Sequence, residues 1–159
     1  MEKTESCKST PVKTLISYTI MPDYPYVYAW QNDSDDHSLG RDVADAGEPG
    51  SWYGKIKISK SLVQRFDQWY PEFRNLADKD VENLGPQEWN DFHREGISLA
   101  HAVKTEMGSM ARVFYEKPSE DPTSHIDERV EILEGGRVVV YRRVGHRGRN
   151  FEHVPDPTT

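Results

Sequence analysis

The chain has 159 residues, enough for one sizeable hydrophobic core and too few for two full domains to be expected. Only 35% of the residues are hydrophobic, yet Trp30, Trp52, Trp69 and Trp89 sit among apolar or aromatic neighbours, which argues against disorder throughout. The formal net charge of -7 argues against non-specific binding of the whole molecule to DNA or anionic membranes, where Lys and Arg supply much of the affinity.

Residues 1–12 read as a flexible polar leader, 13–145 as a single α+β domain and 146–159 as a flexible tail. The opening Met1-Glu2-Lys3-Thr4-Glu5-Ser6 lacks the apolar run of a signal peptide. No later stretch approaches the roughly 20 apolar residues needed to span a bilayer. Cys7 is the only cysteine, so no intrachain disulfide is available, and a reducing compartment is expected. The cytoplasm is the expected location.

The run from Lys13 to Ile20 and the run Tyr26-Val27-Tyr28-Ala29-Trp30 combine β-branched and aromatic residues and read as strands. Pro22 and Pro25 make the segment between them a turn, because neither can donate to a ladder. Gln31 to Ser51, rich in Asp, Gly and Ser, reads as a long exposed loop, unless a short helix over Ser38 to Ala46 interrupts it. Strand-like alternation resumes over Trp52 to Ile58. Ser59 is the expected N-cap of a first helix whose Leu62, Phe66, Trp69, Tyr70 and Phe73 recur at helical spacing, with Pro71 expected to kink or end it.

A second helix begins near Pro86, carries the stripe Trp89, Phe92, Gly96, Leu99, Val103 and Met107, and ends at Gly108. Gly96 costs about 1 kcal/mol in a helix interior, which a close approach of helix backbone to sheet would offset. Ala111 to Tyr115 reads as a strand, and Glu116 to Pro122 as an acidic, proline-bearing loop. Arg129 to Leu133 and Arg137 to Tyr141 flank Glu134-Gly135-Gly136, a β-hairpin signal at or near a sheet edge. Helices clustered between groups of strands predict an α+β fold: a mixed or mainly antiparallel sheet with two principal helices covering one face.

Six histidines invite a metal hypothesis, but His93 and His101 stand too far apart, and no pair has the H-E-x-x-H spacing that aims two imidazoles at zinc from one helix face. No metal and no cofactor are expected. Asp91 and Glu95 near His93, and Ser98 near His101, lack a visible cleft or nucleophile elbow, and neither a Walker loop nor G-x-G-x-x-G occurs. No catalytic residues are assigned. The arginine-rich run from Arg142 to Asn150 could contact phosphates, but it equally solubilises a terminal strand or pairs with the chain's own acidic loops, and nucleic-acid binding is disfavoured.

The arrangement Trp89-x-x-Phe92-His93-x-x-Gly96-x-x-Leu99-Ala100-x-x-Val103-Lys104-x-Glu106-Met107-Gly108, followed by Val113-Phe114-Tyr115 and the acidic loop, resembles small bacterial immunity proteins of polymorphic or contact-dependent toxin systems. Trp30, Trp52 and the helix reaching Trp69 are similar to the same broad plan. The resemblance implies a protein without catalytic turnover that neutralises a cognate toxin in the cytoplasm by steric and electrostatic occlusion. A nuclease toxin would have a basic groove, which Asp33, Asp35, Asp36, Asp42, Asp45 and Glu48 would face as phosphate-like carboxylates. Trp52 and Tyr53 would anchor that contact, and Glu116, Glu120 and Asp121 would form a second acidic patch. The alternatives are a small enzyme whose active residues meet only on folding, or a non-catalytic adaptor.

Overall fold

The computed structural model describes residues 16–24, 27–32, 41–45, 58–122, 128–143 and 151–153. Its elements in chain order are β1 (Ile16–Ile20), β2 (Val27–Asn32), β3 (Arg41–Asp45), α1 (Lys60–Ala77), α2 (Pro86–Met107), β4 (Ala111–Tyr115), β5 (Glu128–Ile132), β6 (Val138–Arg143) and β7 (Phe151–His153). The strands form one seven-stranded sheet in the order β3-β2-β1-β4-β5-β6-β7. All pairings are antiparallel except that of β1 with β4, which run parallel with Ile16 opposite Ala111 and Ile20 opposite Tyr115. The expected α+β architecture is therefore the observed one.

The parallel pair follows from the path of the chain. β1, β2 and β3 form a meander on one side of β1, and α1 and α2 then carry the chain back across one sheet face so that β4 enters alongside β1. Antiparallel neighbours can be joined by tight turns, whereas parallel ones need a long crossover, and the two helices supply it.

Both helices bury a stripe against the sheet. Leu62, Val63, Phe66, Trp69, Tyr70, Phe73 and Leu76 line α1, and Trp89, Phe92, His93, Gly96, Leu99, Ala100, Val103 and Met107 line α2. They meet Tyr18, Ile20, Ala111, Val113, Tyr115 and Ile132 in one core, in which Tyr28 stacks on Phe66 at 4.5 Å between ring centres. The helices are joined by Trp69, whose ring lies 4.6 Å from that of Phe92 and whose Nε1–H donates to the Phe92 carbonyl at 3.0 Å.

The helix ends follow their sequence signals. Ser59 caps α1, its Oγ accepting from the Leu62 N–H, while the Ser59 N–H donates to a carboxylate oxygen of Glu106 on α2 at 2.7 Å. A carboxylate placed there complements the positive end of the helix dipole. Pro86 occupies the first turn of α2, and Gly108 closes it with φ 58. Pro71 does not end α1, because the solvent-facing side of the turn tolerates the missing N–H while Phe73 and Leu76 keep the next turns docked.

Two segments differ from the sequence expectation. Arg41–Asp45, read as loop, pairs with β2 as the edge strand β3. Its composition offers a single β-branched residue, so backbone pairing at the edge rather than side-chain pattern defines it. A short strand, Phe151–His153, pairs with β6 within the 146–159 segment. The Gly135-Gly136 turn is as expected, with φ 79 and φ 86 and a Leu133 N–H to Arg137 carbonyl bond of 2.8 Å closing the hairpin. The strand expected over 52–57 lies outside the described residues.

Candidate partner-binding surface

The acidic residues singled out in the sequence fall in three places. Asp33, Asp35, Asp36, Glu48, Trp52 and Tyr53 lie outside the described residues. Asp42 and Asp45 belong to β3, with backbone positions opposite Trp30 and Val27. Glu116 and Glu120 are half-buried on the turn after β4, whose first N–H, that of Glu116, donates to the Ile20 carbonyl at 3.0 Å.

Asp121 departs from the expectation of a surface patch. It is 2% exposed, and its Oδ2 lies 2.6 Å from His93 Nε2. His93 Nδ1 lies 2.7 Å from Tyr115 Oη. With a charged carboxylate Nε2 carries the proton toward Asp121, and the lowered pKa of His93 favours the neutral ring. The tyrosine hydroxyl donates to Nδ1 of a neutral imidazole, and Nε2–H donates to Asp121. Protonating Nδ1 would turn the Tyr115 oxygen into the acceptor and free its buried O–H from this contact. Burial lowers the pKa of His93 from its ordinary value, against the opposing pull of Asp121. Burial and the Asp121 charge together raise Tyr115 well above its ordinary value.

This network depends on Gly96. A Cβ there would lie 2.5 Å from Tyr115 Cε2 and 2.7 Å from Trp69 Cζ2, so the glycine is what lets the Tyr115 ring lie against the helix backbone and reach His93. The close approach expected from a mid-helix glycine is thus present, and it serves a polar contact as well as packing. His93 was readable as buried, since it lies four residues after Trp89 and three before Gly96 on the apolar stripe. Its partner was not, because Asp121 lies beyond a whole strand. Nor do its sequence neighbours join it: Asp91 pairs with Arg94, and Glu95 with Arg65, each at 3.0 Å. With Asp121 and His93 both buried, the network acts as a clamp between α2, β4 and the following turn.

A second polar cluster occupies the opposite sheet face. Arg112 holds Glu131 in a two-pronged contact of 2.8 and 2.9 Å, and Tyr141 Oη donates to the same carboxylate at 2.8 Å. The guanidinium of Arg129 lies 3.9 Å from the Phe114 ring centre. Burial pushes Arg129 down to about 10. Burial also pushes Glu131 up, but the Arg112 and Tyr141 hydrogen bonds and the two guanidinium charges overcome it and hold the carboxyl below its ordinary value.

Among the described residues no group of His, Cys, Asp or Glu is arranged to hold a metal ion, and no helix is long and apolar enough to cross a membrane. Comparison with family models decides the relationship. The model of the Serratia CdiI immunity protein-like family matches residues 18–118, well over half of the 159. The chain belongs to that family. The match spans the CdiI-like frame from within β1 through both helices to β4 and the turn carrying Glu116, so Gly96 and the His93–Tyr115 contact lie inside it, while Asp121 lies just beyond. β5, β6 and β7 lie beyond the matched stretch of this CdiI-like chain. No curated protein and no solved structure matches it.

Proposed function

We propose that the chain is an immunity protein that binds a cognate bacterial toxin and neutralises it by steric and electrostatic occlusion, with neither turnover nor cofactor. The observation that carries this reading is membership of the CdiI immunity protein-like family over the whole central frame. The net charge of -7 supports a basic toxin surface, such as the nucleic-acid groove of a nuclease. In this reading Asp33, Asp35, Asp36, Asp42, Asp45 and Glu48 steer the encounter, Trp52 and Tyr53 supply anchors, and Glu116 and Glu120 add a second acidic point. The buried Asp121 belongs to the frame that holds that point in place.

The test is titration of the purified chain, after exhaustive metal removal, into a panel of purified contact-dependent inhibition toxin domains while residual toxin activity is followed. Occlusion gives saturation at a fixed ratio and recovery of unmodified toxin on separation. Inactivation of many toxin molecules by one chain, or inactivation that survives separation, would replace occlusion by enzymatic modification. Failure to neutralise any toxin in the panel would favour the adaptor reading.

A further inference from the structure

β1 and β4 run side by side in the same direction, but the chain leaves them in opposite directions, to β2 on one side and to β5 on the other. Connections that diverge from adjacent parallel strands open the sheet's end to a ligand, the geometry used at the switch points of doubly wound sheets. Both connections emerge at one end, since Ile20 stands opposite Tyr115 and the Glu116 N–H bonds the Ile20 carbonyl. The C-terminal end of α1 packs against the same place.

Tyr24 stands at this pole. It is 38% exposed, one of the large apolar side chains that the described surface leaves open. Its position is nevertheless fixed. The ring lies 5.3 Å from that of Phe73, the hydroxyl donates to Asp78 Oδ1 at 3.0 Å, and the backbone N–H donates to Asp23 Oδ1 at 2.7 Å. Tyr70 fastens the segment below by donating its hydroxyl to the Asp23 carbonyl at 2.8 Å, and the Arg74 guanidinium lies 5.7 Å from the Tyr24 ring centre. An aromatic side chain held this way loses little freedom on binding, which is what favours tyrosine as an interface anchor.

Carboxylates gather at Tyr24 alongside Arg74. Asp78, the C-cap of α1, stands at the helix end whose dipole disfavours carboxylates, with Arg74 the basic residue of that last turn. Lys79, next to Asp78, is turned to Glu88 at 2.8 Å. Glu120 joins from the turn that Asp121 clamps to His93. Burial raises the Tyr24 hydroxyl above its ordinary value, as do the Asp78 hydrogen bond and the charges of Asp78 and Glu120, with Arg74 opposing. A carboxylate at a helix C-terminus beside a preorganised exposed ring gives this surface a face suited to a cationic partner.

We propose that this pole, Tyr24 rimmed by Asp23, Asp78 and Glu120, is a docking surface for a basic segment of the toxin, an inference that rests on the function proposed above. An arginine or lysine of the toxin pairs with the rim carboxylates while its stem packs on the part of the Tyr24 ring that Phe73 and Arg74 leave exposed. The surface draws on none of the residues of the 31–48 segment and would give the toxin a second contact.

The experiment measures association and dissociation rates of a toxin domain that the wild-type chain neutralises, at low and moderate salt. The variants are Tyr24→Ala, the double variant Asp78→Asn with Glu120→Gln, and Asp33→Asn with Asp35→Asn and Asp36→Asn as a comparison. Tyr24 and Asp78 are exposed and Glu120 is half-buried, and unchanged melting temperature confirms the fold. The proposal expects the double variant to slow association and flatten its salt dependence, and Tyr24→Ala to speed dissociation by about tenfold or more. Wild-type rates in both would overturn it and leave the immunity reading standing. If no toxin is neutralised, that reading fails, and an oligoarginine peptide becomes the probe, followed by amide NMR shifts. Shifts centred on Tyr24, Asp78 and Glu120 that vanish in the double variant would support the docking surface, and shifts confined elsewhere would overturn it.

Discussion

His93 Nε2 and Asp121 Oδ2 lie 2.6 Å apart with both side chains out of solvent, tying the middle of α2 to the turn after β4 across 28 residues of sequence. A carboxylate this deeply buried is tolerated because the imidazole N–H meets it, and removing either partner leaves the other stranded.

Asp121→Ala is therefore expected to destabilise the chain by about 1–3 kcal/mol, the usual cost of leaving a buried donor unpaired. Asp121→Asn, which keeps an acceptor for the His93 N–H, should cost distinctly less. Urea denaturation followed by tryptophan fluorescence measures both, and equal losses in the two variants would contradict the arrangement of protons assigned here.

The same clamp predicts a pH dependence. Burial lowers the folded pKa of His93 below the 6.5 of a free histidine, so the folded state prefers the neutral ring. The corresponding stability is fully present above pH 6.5 and is lost as pH falls through the lower, folded value. His93→Gln should weaken the fold near neutral pH and flatten the decline in stability below it. A variant whose stability falls as steeply as the wild type between neutral and mildly acid pH would show that His93 is not the titrating group.

Gly96→Ala sets two effects against each other. Alanine favours the helix by about 1 kcal/mol over glycine. Its Cβ, however, would stand 2.5 Å from Tyr115, whose ring is held by His93 and cannot swing away. Overpacking of this kind costs about 1–3 kcal/mol or more, so a net loss is expected. A rise in melting temperature for Gly96→Ala would refute the close packing of α2 on β4.

On the opposite sheet face, Glu131→Ala leaves Arg112 without its two-pronged partner and Tyr141 without its acceptor. A loss of about 3 kcal/mol is expected, in the range for a broken pair with one buried member. Replacing Arg112 and Glu131 together by methionine should recover much of it, because an apolar pair carries no desolvation cost. Hydrogen exchange of the β5 and β6 amides reports the outcome, with faster exchange in the single variant and recovery in the double.

The acidic segment after β2 gives a prediction tied to the proposed function. Replacing Asp33, Asp35 and Asp36 together by Asn should slow association with the toxin and reduce its salt dependence, leaving dissociation nearly unchanged. Stopped-flow mixing at two salt concentrations separates the rates. Unchanged association would remove this segment from the encounter surface.

The sequence by itself determined the elements whose identity is local. The apolar stripes of α1 and α2, the Ser59 cap, the Pro86 and Gly108 boundaries and the paired glycines of the β5–β6 turn each declare themselves within a few residues, because helical periodicity and positive φ are properties of neighbouring positions. Gly96 even announced the close approach of α2 to the sheet. Only the tertiary structure decided what meets across the chain. The parallel register of β1 with β4 fixed which turns share one end of the sheet, and β3 became a strand through backbone pairing that its side chains do not advertise. Glu116, Glu120 and Asp121 looked alike as an acidic run, yet the fold buries the third against His93 and leaves Glu120 half-buried, its charge felt at Tyr24. Charge is written residue by residue in a sequence, but whether a carboxylate faces solvent, a guanidinium or an imidazole depends on partners that only folding brings within a few ångströms.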